Sequence, residues 1–161
     1  MTGPTAQDRR AVVVDLDGTL ASVQWRLHHV SQPRRDWQAF FAGMDADTPV
    51  PWVVELLRAD HGDTAKVILS GRPETYREVC RGWLDRHGIP YDELILRSTG
   101  DFRPDHVVKA EIYERTIAPH YSVAVVVDDR PSVVAMWRAR GLYVIQPTDP
   151  ALSPSTAPVP P

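Results

Sequence analysis

Residues 11–19 read Ala11-Val12-Val13-Val14-Asp15-Leu16-Asp17-Gly18-Thr19. Four small or β-branched apolar residues run straight into two aspartates, a glycine and a threonine. A short apolar run of this kind reads as a buried strand. It ends in polar groups that a core does not keep without partners. The pattern returns twice. Residues 65–69 run into Ser70-Gly71-Arg72, and residues 123–127 run into Asp128-Asp129-Arg130. Residues 93–96 and 142–145 form two more short apolar runs. Helical stretches lie between them. Residues 51–60 begin with Pro51, residues 74–87 stop at Gly88-Ile89-Pro90, residues 105–117 take Asp105 as N-cap, and residues 131–140 end at Gly141. Continuously apolar strands alternating with helices predict a parallel sheet covered on both faces, a doubly wound α/β fold. Ligands of such folds bind outside the carboxyl ends of the strands. The residues that end each run are therefore the candidates for function.

The rest of the composition narrows the class. The chain has 161 residues, with 18 Lys+Arg against 21 Asp+Glu and a net charge of −3. That size suits one domain, and the mild acidity leaves no broad basic field for nucleic acid. The single cysteine, Cys80, excludes a disulfide framework and a multi-cysteine zinc site. No apolar run approaches the ~20 residues of a membrane span, and the N-terminus lacks the apolar core of a signal peptide. A cytoplasmic protein with no membrane partner is expected. Residues 1–9 read as a flexible start, 10–146 as the folded domain and 147–161 as a disordered tail. That tail holds six of the fifteen prolines.

Several carboxylates brought to one sheet edge repel one another and call for a cation. Oxygen ligands suit a hard divalent ion, Mg²⁺, that keeps waters and a substrate phosphate. Asp15 and Asp17 are separated by one residue at a strand's end, where the chain leaves the sheet and their side chains are expected to point differently. One can attack phosphorus while the other gives and takes a proton. A hydroxyl such as Ser70 and nearby backbone N–H groups can hold phosphoryl oxygens. Only two lysines stand among the basic residues, Lys66 and Lys109. Lys109 lies on the helix before the fourth core strand, where a point charge would face the transferring group.

At these residues the chain resembles the haloacid dehalogenase-like (HAD) phosphohydrolases. The matching motifs are Asp15-Leu16-Asp17-Gly18-Thr19, Ser70, Lys109 and Asp128-Asp129, over roughly residues 10–146. The resemblance implies a Rossmann-like sheet of order 5-4-1-2-3 and an Mg²⁺-dependent aspartyl-phosphate mechanism. It makes Asp15 the nucleophile and Asp17 the general acid/base. Ser70 and Lys109 bind the phosphoryl group, with Thr19 and Gly71 beside them. Asp15, the backbone carbonyl of Asp17, and Asp128 or Asp129 hold the metal. Asp17, where dehalogenase relatives and transport ATPases differ, points to a phosphatase. Ser70-Gly71-Arg72, Val107-Val108-Lys109 and Val127-Asp128-Asp129-Arg130 are similar to the phosphatase domain of bacteriophage-type polynucleotide kinases. That likeness implies removal of 3′-phosphates from polynucleotide ends or nucleotides, with Arg72, Arg97 and Arg130 as active-site arginines. No G-x-x-x-x-G-K-[ST] stretch occurs, so no kinase domain is expected in this chain.

Residues 21–48 belong to no core strand and fall where that family carries a small cap. A cap this short leaves the site open, which suits a chain end or a nucleotide. Trp25 and Arg26 are read as substrate contacts, by base stacking and phosphate binding. Phe40 and Phe41 are read as packing. The competing function is a phosphatase for a small nucleoside monophosphate or another phosphorylated metabolite. A more distant one is a non-catalytic binding module.

Overall fold

The computed structural model describes residues 9–147. The expectations for residues 1–8 and 148–161 lie outside the described residues. Seven strands alternate with five α-helices. The strands are β1 (Arg10–Val14), β2 (Ala21–Ser22), β3 (Thr48–Pro49), β4 (Ala65–Pro73), β5 (Glu93–Arg97), β6 (Ser122–Val127) and β7 (Val144–Ile145). The helices are α1 (Trp37–Ala42), α2 (Pro51–Arg58), α3 (Arg77–Arg86), α4 (Asp105–Ile112) and α5 (Pro131–Ala139). The main sheet has five strands in the order β5-β4-β1-β6-β7, and every neighbouring pair is parallel. Counted along the core strands alone, this is the expected order 5-4-1-2-3.

β1 sits at the centre, and its period-2 alternation feeds two cores. Val12 and Val14 pack with Val53, Leu57 and Trp83 on one face. Ala11 and Val13 pack with Leu69, Val133 and Trp137 on the other. Both faces are covered, so the strand reads as an unbroken apolar run instead of an alternating one.

The boundaries differ from the sequence reading where polar groups are satisfied by the fold. β4 continues in extended form through Ser70, Gly71 and Arg72 to pair Pro73 with Arg97. Those residues look like a strand's end because they are polar, but their partners lie at the sheet edge. The helix expected over residues 74–87 is a 3-10 turn, Glu74–Tyr76, followed by α3. The helix expected over residues 105–117 narrows to α4 and continues as a wider π turn, Tyr113–Ile117. Pro104, not Asp105, occupies its N-cap, which leaves the Asp105 side chain to other partners.

The insert is closed at its base by the antiparallel pair of β2 and β3, with Ala21 opposite Pro49 and Ser22 opposite Thr48. Two-residue strands carry no periodic signal. Between them lie a 3-10 segment, Gln24–His29, and α1, capped by Asp36, whose Oδ1 accepts from Ala39 N at 2.9 Å. Phe40 is buried. Trp37 stacks on Phe41, and Phe41 lies against Tyr76 in the turn before α3.

Leu69 on β4 is fully buried against the second core. Leu69→Ala is expected to cost about 2–5 kcal/mol of stability. Urea denaturation checks it, and a loss under 1 kcal/mol would remove β4 from the centre of that packing.

Candidate active site

Three core strands deliver their polar ends to one edge. β1 is followed by Asp15, whose backbone N donates to Val127 O at 3.0 Å, so the ends of β1 and β6 are tied together. From α4, Lys109 reaches back to both. Its Nζ donates to Asp15 Oδ1 at 2.7 Å and to Asp128 Oδ2 at 2.8 Å, and lies 3.5 Å from Asp105 Oδ2. Asp15, Lys109 and Asp128 are buried, and the Asp105 side chain is nearly so. Asp129 completes the group, with Thr19 Oγ1 donating to its Oδ1 at 3.3 Å. Asp15, Asp128 and Asp129 each offer an oxygen, all within 4.8 Å of one another.

The electrostatics of this group show a shortage of positive charge. Burial pushes the Asp15 carboxyl well above its ordinary range. Lys109 pulls it back, and the Asp128, Asp129 and Asp105 carboxylates push it up again. Asp129 is pushed up to about 7, first by burial and then by Asp128. Burial works against charge on Lys109 too, but its three aspartates outweigh that and raise it well above the ordinary lysine value. Asp15 and Asp129, two buried carboxyls that resist ionising, with Asp128 beside them and one lysine, are a donor set that a divalent cation with oxygen preference fits.

Asp17 faces the other way. Its Oδ1 accepts from Arg26 Nη2 at 2.7 Å, Arg72 Nη2 at 2.6 Å and Arg72 Nε at 3.0 Å. Burial would raise this carboxyl, but Arg72 and Arg26 outweigh it and hold it at about 2. The Asp17 side chain lies outside the three-carboxylate group, so only its backbone carbonyl keeps the metal role inferred from sequence.

Arg26 and Arg72 were expected to touch phosphate. Both are instead fully buried, and their guanidinium groups are spent inside the protein. Arg26 donates to both oxygens of Asp47, at 2.7 and 2.6 Å, and to Phe40 O at 3.0 Å. Arg72 adds a 3.0 Å bond to Asp47 Oδ2. Two arginines and two aspartates thus form a closed network that anchors the insert to β4. Trp25 joins it from outside: its Nε1 donates to Asp47 Oδ1 at 3.0 Å, and its ring is half exposed. Trp83 Nε1 donates to the Asp47 carbonyl at 2.8 Å.

The remaining candidates lie on the β4–β5 side. Ser70 is buried, and its Oγ accepts from Arg72 N at 3.2 Å, which leaves the hydroxyl proton free to donate. Arg97 Nη2 donates to Asp105 Oδ1 at 2.9 Å, while its buried Nε has no partner among the described residues. Arg130 is half exposed, with Nη1 3.7 Å from Asp105 Oδ2. Gly71 lies directly beneath Asp105, where a Cβ would run into the carboxyl.

Two residues at the edge are absent from the sequence-level candidates. Asp47 looks like any surface aspartate of a loop, and no sequence signal marks it. Asp105 reads only as a helix cap, although its i, i+4 spacing to Lys109 places both on one helix face.

Compared with known proteins, residues 9–151 match the family described as the polynucleotide kinase PNKP phosphatase domain. The chain belongs to that family. It is 32% identical over 130 residues to a protein described as a bifunctional polynucleotide kinase/RNA ligase of Autographa californica nuclear polyhedrosis virus, covering 80% of this chain and 18% of that protein. A chain in the solved Pnkp1/Rnl/Hen1 RNA repair complex superposes with a TM-score of 0.75 at 33% identity, over 88% of this chain and 44% of that one. This chain therefore spans less than half of the length of these relatives. A HAD-superfamily hydrolase from Geobacter sulfurreducens PCA shares the fold, with a TM-score of 0.54 at 12% identity, over 86% of each chain. The PNKP-type domain is a HAD-family phosphatase resembling polynucleotide 3′-phosphatases. Among the described residues, no helix is long and apolar enough to cross a membrane.

The Asp105 carboxyl is held by Arg97, Lys109 and Arg130 and cannot move aside cheaply. Gly71→Ala is therefore expected to destabilise the protein by about 1–3 kcal/mol through overpacking. Thermal unfolding tests this, and an unchanged midpoint would show that Asp105 is free to shift.

Proposed function

We propose that this phosphatase removes 3′-phosphates from polynucleotide ends, with Mg²⁺ as cofactor and an aspartyl phosphate as intermediate. The observation that carries the reading is Lys109 bridging Asp15 and Asp128 with Asp129 beside them, a buried edge with more carboxylate than cation. The family match supports the substrate class.

In this mechanism an Asp15 oxygen attacks phosphorus and the bond from phosphorus to the 3′ oxygen breaks. Asp17, which takes up a proton from solvent as the substrate phosphate arrives, gives it to the departing oxygen. Water then attacks the phosphorus of the aspartyl phosphate, Asp17 takes its proton, and inorganic phosphate leaves with Asp15 restored. Lys109 and the Ser70 hydroxyl bind phosphoryl oxygens, with Gly71 beside them, and Thr19 orients Asp129. Asp15, Asp128, Asp129 and the Asp17 carbonyl hold Mg²⁺, which when bound supplies charge neutralisation for the phosphoryl group. Arg26 and Arg72 keep Asp17 in place. In the free chain Asp17 is a carboxylate, the form that deprotonates water. An arriving phosphate dianion is the like charge that raises its proton affinity for the first step. Arg97 and Arg130 border the site and favour an anionic chain, and the half-exposed Trp25 offers a face to a base.

Two measurements test this. Phosphate release is compared on a 3′-phosphorylated oligonucleotide, its 5′-phosphorylated twin, and 3′- and 5′-mononucleotides, with Asp15→Asn as blank. Preference for the 3′-phosphorylated oligomer is expected, and Asp15→Asn should lose turnover by several orders of magnitude while staying folded. A folded, active Asp15→Asn would remove the mechanism, and better rates on mononucleotides would move the function to small-molecule metabolism. Separately, Mg²⁺ at about 100 times its Kd should stabilise the wild type by about 2.7 kcal/mol. Asp129→Asn should lose most of that gain, and an undiminished gain would place the ion elsewhere.

A further inference from the structure

Phe102 is 94% exposed. It stands in the connection between β5 and α4, and the backbone around it is tightly determined. Arg97 Nη1 donates to the carbonyls of Asp101 (3.1 Å) and Arg103 (2.7 Å), the residues on either side of Phe102. Asp101 N donates to Ser98 O at 3.1 Å, closing a turn whose third residue, Gly100, has φ +85°, as a type II turn requires. Arg103 N donates to Asp101 Oδ1 at 3.1 Å, and Thr75 N donates to Thr99 Oγ1 at 3.1 Å, tying the turn to the segment after β4. A loop fixed at so many points presents one large aromatic ring to water. Folding gains almost nothing from that ring, since burial is what makes an aromatic stabilising.

The turn is attached to the catalytic edge through one chain of contacts. Arg97 holds the turn and donates to Asp105, Asp105 lies beside Lys109, and Lys109 is bonded to Asp15. The half-exposed Arg130 meets the same Asp105. A rigid exposed ring beside cations at a phosphate-handling edge is the pattern of single-strand nucleic-acid binding, where bases stack and cations follow the backbone. Phe102 lies in the loop that Arg97 ties to Asp105, on the Asp105 side of the Asp15 edge, where a strand ending at that edge can pass it.

We propose that Phe102 is the stacking platform for the nucleobase that precedes the phosphorylated terminal nucleotide, and so a determinant of the preference for oligomers. This rests on the polynucleotide reading above. The test is a cycle of four rate measurements with the whole chain. Wild type and Phe102→Ala are each assayed on a 3′-phosphorylated hexanucleotide and on the same hexanucleotide made abasic at the penultimate position. Phe102→Ala is expected to raise KM on the intact oligomer by about 5- to 100-fold, the range of one lost base stack, with kcat little changed. The abasic oligomer should cost the wild type a similar factor and cost Phe102→Ala almost nothing more. Phe102→Trp should restore the wild-type KM.

Equal losses on both oligomers, or no loss on either, would overturn the proposal. Phe102→Ala with unchanged kinetics but weakened binding to a protein partner would overturn it in favour of a protein-docking role. If the wild type releases phosphate from no oligonucleotide, the polynucleotide reading fails first and takes this one with it. If the wild type acts on oligomers and the cycle shows no coupling, only the role of Phe102 fails.

Discussion

The ammonium of Lys109, buried between Asp15 and Asp128, is the contact around which the edge is built. It joins the ends of β1 and β6 to α4, with β1 far from the other two in sequence. A buried ion cluster is costly to desolvate, and removing one partner from such a pair costs about 3–5 kcal/mol. It persists because each charge has several partners. Lys109 faces three aspartates, and Asp105 faces Lys109, Arg97 and Arg130. Burial would raise the Asp105 carboxyl, but Lys109, Arg130 and Arg97 together lower it. A hydrophobic substitute could equal this arrangement in stability, but it could not present an anionic edge with one cation in its middle.

The insert depends on a second buried cluster of the same kind. Asp47 accepts from Arg26 and Arg72, and both of these also hold Asp17. The insert therefore does more than cover the site. Through Arg26 it sets the orientation of a carboxyl that belongs to the loop after β1. The antiparallel pair of β2 and β3 closes its base, and Trp83 on α3 fixes the Asp47 backbone from the core side. Packing of the insert and placement of Asp17 are one structural event.

The sheet was legible in the sequence because its signal is collective. Several apolar runs, each interrupted by polar residues, can be satisfied together only by parallel strands with their polar ends on one edge. Asp15, Lys109, Asp128 and Asp129 follow from that edge and from the family resemblance. The limits are equally physical. Arg26 and Arg72 are recognisable as functional residue types, but their partners are set by tertiary contacts, so their burial against Asp17 and Asp47 was invisible. Asp47 stands in a short irregular segment with no periodicity to single it out. The length of β4 was underestimated because Ser70 and Arg72 look like a strand's end when their partners are unknown.

Asp15 and Asp17 lie two positions apart on one turn, yet their surroundings are opposite. Asp15 shares one lysine with other buried carboxylates and is pushed toward its neutral form. Asp17 accepts from two arginines and is held ionised. Environments that drive neighbouring carboxyls apart in proton affinity are how one site supports two roles. The group short of positive charge is the one that a metal ion would complete. The group already rich in positive charge needs no ion to stay charged and can respond instead to the charge of an incoming substrate. Left to themselves these environments favour the opposite roles, so the proposed division needs both ligands: a cation beside Asp15, Asp128 and Asp129 to keep Asp15 ionised for attack, and the substrate phosphate to give Asp17 a proton to pass on.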